Sequence, residues 1–254
     1  MRVKLMVAVA FAGAAQLALA PAVRADTWTV MIYMASDNDL ERFAPPNVEE
    51  MARVSGANLT VVMQADRFGA HDATPFLGAD VYQGVRRYEI DTAGATLVED
   101  LGTVDMTDPA TISDFEAWAF ATYPADHYAL VMWDHGGAWQ GANQDENGGR
   151  AITPASDLVA GIAGGMPVDV YFDVIGFDEC LMANFEVVQA LAPLTTVIVA
   201  SEELEAGSGW DYEPFLRSIV DDPLVTAEVV GAAIADGFAL KQQAAGDPTY
   251  TLSV

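Results

Sequence analysis

Two apolar, β-branched-rich runs constrain the fold of this chain more than anything else in it. The first, Tyr128-Ala-Leu-Val-Met-Trp-Asp-His135-Gly136-Gly137, ends in a histidine and two glycines. The second, Asp173-Val-Ile-Gly-Phe-Asp178-Glu179-Cys180, ends in the only cysteine of the chain. Runs of this length and composition read as buried strands. Around them the pattern alternates. Trp28–Ala35, Leu59–Ala65 and Thr195–Ala200 read as further strands, and Asp80–Leu101 as a hairpin or β-excursion. Asn47–Val54, Ala110–Thr122, Ala155–Ala163, Leu181–Leu191 and Leu224–Gln243 read as helices, the first interrupted upstream by Pro45-Pro46. Alternation of this kind predicts an α/β fold, a mostly parallel sheet with helices on both faces. The carboxyl ends of parallel strands form the ligand-binding rim, so His135 and Cys180 are expected to reach one crevice.

Residues 1–25 are set apart from the rest. Arg2 and Lys4 precede an apolar stretch from Leu5 to Ala20, and Ala22-Val-Arg24-Ala25 offers a small-residue cleavage site. This is the pattern of a secretory signal peptide, so residues 26–254 are expected to form the mature domain, secreted or periplasmic. The stretch is short for a membrane span, and no later run is long and apolar enough for one. The whole chain has 11 Lys and Arg against 37 Asp and Glu. Removing Arg2, Lys4 and Arg24 leaves 8 − 37 = −29 on the domain. Such a surface repels nucleic acid and anionic membrane and draws basic peptides.

A single cysteine in an exported protein cannot close an internal disulfide, so it is either an inert small hydrophobe or a reactive group. Its strand-end position and histidine partner favour reaction. Cys180 is the expected nucleophile and His135 the acid/base. Placed at the start of the next helix, Cys180 would have its thiolate favoured by the helix dipole. Gly136 has no side chain, so its N–H can approach a substrate carbonyl and, with the Cys180 N–H, form an oxyanion hole. Asp178, two residues before Cys180 on an extended segment, faces the same side as the nucleophile and suits a basic P1 side chain. Glu179 faces away, but a negative charge there opposes thiolate formation. Glu202, Glu203 and Asp211 come from the next strand end and loop and are candidates to line the pocket, with Trp210 and Tyr212 as its apolar wall. Asp134 reads as structural, and Asp37 and Asp39 as capping residues.

These phrases, with Trp28-Thr-Val-Met-Ile-Tyr-Met-Ala-Ser-Asp37-Asn38-Asp39 and Ala200-Ser-Glu202-Glu203 followed by Gly209-Trp210-Asp211-Tyr212, resemble the clostripain family of cysteine peptidases. The resemblance runs from about Trp28 to the last residue. It implies a caspase-like three-layer sandwich and a peptidase that cleaves after Arg or Lys through a thioester at Cys180. It implies that Asp178 sets the basic P1 preference and that Arg150, in a Gly-rich loop, is the site of self-cleavage. It also implies further sheet beyond Val254, so the chain is expected to be either a member short at its C-terminus or an incomplete chain. Partners are then peptides or proteins with Arg or Lys at P1. Two other uses of the same residues stand beside this one: a non-catalytic secreted binding protein, and an amidase or transpeptidase.

The dyad chemistry requires no cofactor and no metal site is assigned, although the acidic surface permits calcium. Asn143-Gln-Asp145-Glu-Asn147-Gly148 opens like an EF-hand loop, but its twelfth position is Pro154 instead of the bidentate Glu.

Overall fold

The computed structural model describes residues 26–148, 152–222, 224–247 and 249–254. The expected signal peptide and Arg150 lie outside the described residues. In chain order the elements are β1 (Trp28–Ala35), α1 (Ala44–Met51), β2 (Leu59–Arg67), β3 (Gly84–Asp91), β4 (Gly94–Gly102) and α2 (Pro109–Thr122). They continue as β5 (His127–Trp133), β6 (Gly141–Ala142), β7 (Thr153–Pro154), α3 (Ala155–Gly165), β8 (Phe172–Asp178), α4 (Phe185–Leu191), β9 (Thr195–Val199), α5 (Tyr212–Asp221) and α6 (Ala227–Ala245).

Seven strands form one sheet in the order β4-β3-β2-β1-β5-β8-β9. The pairs β1–β2, β1–β5, β5–β8 and β8–β9 are parallel, and the β3–β4 hairpin joins β2 antiparallel. Strand alternation sends side chains to two cores. From β1, Val30, Ile32 and Met34 pack toward α1, α5 and α6, while Met31, Tyr33 and Ala35 pack toward α2, α3 and α4. The result is the expected three layers. Because the middle strands are buried on both faces, they read in sequence as continuous apolar runs.

Three local expectations are corrected. Pro45-Pro46 does not interrupt the first helix; the helix begins at Ala44 with proline in its first turn, where a missing N–H costs nothing. The helix after β8 starts at Phe185, capped by Asn184, whose side chain accepts from Val187 N at 3.1 Å. Cys180 therefore lies in a turn before it, followed by Leu181 at φ 66°, and has no helix N-terminus behind it. Helix α5 was not expected; Tyr212, Phe215, Leu216 and Ile219 form its buried stripe.

Candidate active site

Register alone brings the two reactive side chains together. Trp133 of β5 is aligned with Asp178 of β8. His135 and Cys180 each follow their aligned residue by two positions, so both emerge at the same level of the same rim. They line one cavity of about 170 Å³ together with Asp178, Glu205 and Gly207.

Gly136 shows how tightly the two strand ends are joined. A Cβ built there would sit 1.9 Å from the Cys180 carbonyl oxygen and 3.0 Å from its N. No side chain fits that position, and the two backbones can meet only because residue 136 is glycine.

The imidazole of His135 is oriented by Asp39, whose Oδ1 lies 2.8 Å from Nε2. Asp39 thus corrects its reading as a local cap: it bonds across the sheet. The histidine holds the Asp39 carboxyl below its ordinary value. With Nε2 engaged, Nδ1 is the nitrogen left to exchange a proton. Asp134 is buried as a structural group, accepting from Asn38 Nδ2 at 2.7 Å and from the Gln144 N–H.

The Cys180 sulfur accepts from the Glu205 N–H at 3.3 Å. Burial pushes the thiol above its usual value; the Glu205 N–H opposes this, and the carboxylates of Glu179 and Asp178 add to it. In the free protein the group is therefore a thiol, not a preformed thiolate. Glu179 itself is buried with both carboxyl oxygens unpartnered among the described residues. Burial, then Asp134 and Asp178, push it well above the ordinary range. The shift favours the protonated carboxyl, which weakens the charge that the sequence placed beside Cys180.

Asp178 lies in the cavity wall and is held from behind. Its Oδ2 accepts from the Tyr212 hydroxyl at 2.8 Å, and the Trp210 N–H lies 3.2 and 3.1 Å from its two oxygens. Burial raises it to about 6, against the lowering by these donors and by Lys241. Trp210 is fully buried under the cavity, with its ring against Gly176, and Tyr212 is likewise buried. Neither is among the residues lining the cavity, nor is Asp211, whose side chain caps α5 by accepting from Glu213 N at 3.2 Å. Glu202 and Glu203 are exposed and also outside that lining. Lys241 fixes the loop that carries these residues, donating to the carbonyls of Ser208 and Trp210 and to Glu50.

Glu205 is the residue the sequence reading missed. It lines the cavity beside Asp178, and its Oε2 accepts from Trp210 Nε1 at 3.1 Å. Its Oε1 is buried without a partner among the described residues, and burial pushes the carboxyl well above its ordinary value. The only signal in sequence was its place between the Glu202-Glu203 pair and Trp210.

Known proteins share this chain's sequence pattern and fold. Clostripain of Hathewaya histolytica is 26% identical over 224 residues, which cover 75% of this chain and 42% of clostripain. Among solved structures, a secreted C11 cysteine protease from Bacteroides thetaiotaomicron with an irreversible peptide inhibitor superimposes at TM-score 0.69 and 23% identity, over 86% of this chain and 59% of that one. An inactive zymogen C11 protease from Parabacteroides distasonis superimposes at 0.66 and 20%, over 87% and 60%. The chain thus spans less than two thirds of the length of these relatives. The clostripain family model (peptidase C11) matches residues 32–254, and the chain belongs to that family.

Proposed function

We propose that the protein is an exported cysteine endopeptidase that cleaves peptide bonds after Arg or Lys. The observation that carries this reading is the convergence of His135, Cys180 and Asp178 on one cavity at the aligned ends of β5 and β8.

In this reading His135 Nδ1 takes the Cys180 proton, and the thiolate attacks the scissile carbonyl. The oxyanion is met by the N–H groups of Gly136 and Cys180, whose backbones already touch. The imidazolium then gives its proton to the leaving amine. A thioester remains on Cys180, and water activated by His135 hydrolyses it. No cofactor enters these steps.

The electrostatics link specificity to activation. The carboxyls that raise the free thiol include Asp178, and a P1 guanidinium or ammonium beside Asp178 and Glu205 would offset their field. A basic substrate would therefore lower the barrier to forming its own nucleophile, whereas a neutral P1 residue would leave the thiol protonated. Export is supported by the leader-like residues 1–25 and by a structural relative described as secreted. Self-cleavage at Arg150 belongs to the same proposal, since that bond presents a basic P1 residue.

Labelling tests the assignment. A lysine or arginine chloromethyl ketone should add one adduct, located on Cys180 by peptide mapping, and Cys180→Ala should add none. A folded protein that stays unlabelled while iodoacetamide modifies Cys180 would remove the basic pocket and favour a binding protein.

A further inference from the structure

The cavity that holds Asp178 is walled by a loop that is itself gripped from behind. Gly207 and Gly209 line the cavity with Asp178, while three successive carbonyls of the same loop bond to α1 and α6. Ser208 O accepts from Lys241 Nζ at 2.9 Å and from Asn47 Nδ2 at 3.2 Å. Gly209 O accepts from Gln242 Nε2 at 3.3 Å, and Trp210 O from Lys241 Nζ at 2.7 Å. The C=O and N–H of a trans peptide point opposite ways. Holding Gly209 O at Gln242 therefore turns the Trp210 N–H onto the two oxygens of Asp178. Gly209 has φ 63°, and a Cβ on it would lie 2.7 Å from Asp178 Oδ2, so glycine lets the loop come this close.

The charges behind the loop form a short chain. Lys241 Nζ lies 2.8 Å from Glu50 Oε1, and Glu50 Oε2 accepts from Tyr212 N at 3.4 Å. Tyr212 in turn donates its hydroxyl to Asp178. Lys241 is not among the residues lining the cavity. A cation inside the cavity would pair with Asp178 and compete with a basic side chain. Behind the backbone it favours the ionised carboxylate through its field and leaves the cavity side of Asp178 open.

We propose that Lys241 is a positioning residue for the P1 pocket, acting through Asp178: it anchors the loop that presents Asp178 and balances its charge without entering the pocket. This rests on the basic-P1 reading above and adds a device that tunes it. Glu50 works against Lys241, because its charge opposes that of Asp178. In keeping with this, Lys241 lowers and Glu50 raises the Asp178 carboxyl, which burial brings to about 6. The other titratable groups around Asp178 are Tyr212 from α5, Glu205 from the loop after β9, Asp134 and His135 after β5, and Glu179 and Cys180 on its own segment. A carboxyl at about 6 is charged above that pH and neutral below it. Preference for a basic side chain should therefore appear as pH rises through about 6.

The test uses chains carrying Cys180→Ala, so it needs no turnover. Two fluorescein-labelled peptides, differing only in Arg or citrulline at one central position, are titrated by fluorescence anisotropy from about pH 5 to about pH 8, across the carboxyl's transition. The parent's preference for the Arg peptide should rise with a midpoint near 6. Lys241→Met should move that midpoint up by about one pH unit, as loss of a nearby opposite charge does, and Lys241→Arg should restore it. Glu50→Gln, which removes a like charge, should move it down. A merely structural role would weaken binding in both variants without opposite shifts in pH. If Lys241→Met does not fold, Lys241→Gln, which keeps a donor but no charge, gives the same reading. Midpoints that stay in place, or that move the same way in the Lys241 and Glu50 variants, would overturn the role of Lys241 and leave the pocket standing. A parent that prefers neither peptide at any pH would overturn the basic pocket, and this role with it.

Discussion

Gly136→Ala is the sharpest single perturbation of the site. The added Cβ would lie 1.9 Å from the Cys180 carbonyl oxygen and 2.9 Å from its carbon, both backbone atoms. Ordinary contact needs about 3.4 Å or more, so the strand ends must part by over about 1 Å. The backbone around Cys180 has little freedom to yield, because the Leu181 N–H is bonded to the Glu203 carbonyl at 2.9 Å. A displacement of this size between reacting groups costs about 10²-fold in rate. The accompanying strain costs about 1–3 kcal/mol of stability. Gly137→Ala is the internal control: its Cβ would meet Ile152 Cδ1 at 3.1 Å, the end of a flexible side chain, and Gly141 O at 3.2 Å. Measured as kcat/KM on a P1-Arg fluorogenic peptide, with thermal unfolding alongside, Gly136→Ala should lose about 10²-fold or more. Gly137→Ala should stay within a few-fold of the parent, as small relaxations cost little. Equal activity and equal Tm for Gly136→Ala and the parent would refute the argument that the contact sets the catalytic geometry.

Other perturbations separate the remaining parts. Asp39→Ala should lower kcat by about 10–100-fold with little change in KM, since it frees the imidazole without touching substrate; a change in KM alone would contradict its positioning role. Glu205→Gln should reduce the preference for P1-Arg over P1-citrulline peptides while leaving acyl-enzyme hydrolysis unchanged, and an unaltered preference would take Glu205 out of the pocket. Glu116 is buried in α2 with both oxygens unpartnered among the described residues, and burial holds it well above the ordinary value. The folded state thus keeps a proton there that the unfolded state loses, so its contribution to stability falls as pH rises above about 4.5. Glu116→Leu, in the Cys180→Ala chain, should therefore gain stability relative to the parent between pH 4.5 and 7, by about 1–4 kcal/mol. A gap that is constant with pH in urea melts would show that Glu116 is not protonated in the fold.

The sheet was legible because its middle strands are covered on both faces. Tyr128–Trp133 and Val174–Phe177 had to be apolar throughout, and period-two alternation then placed Asp178 and Cys180 on one side. Local signals were less faithful. Ser36-Asp37-Asn38-Asp39 has the composition of a helix cap, yet Asn38 bonds Asp134 and Asp39 bonds His135, both across the sheet. Such pairings depend on strand order, which local composition does not encode. Glu205 was hidden for a similar reason. Its significance comes from Trp210 and Asp178, brought to it by the loop that Lys241 pins to α1. The proline pair misled because proline breaks helix interiors but suits their first turn.

The central claim is that Cys180, His135 and Asp178 make one basic-specific peptidase site. The most direct test is hydrolysis of matched P1-Arg, P1-Lys and P1-Asp peptides by the purified chain, beside Cys180→Ala and Asp178→Asn. Turnover of the Arg and Lys peptides only is expected, with none for Cys180→Ala and a selective loss of basic-peptide kcat/KM for Asp178→Asn. Cleavage that persists in Cys180→Ala, or a P1 preference unchanged in Asp178→Asn, would contradict it.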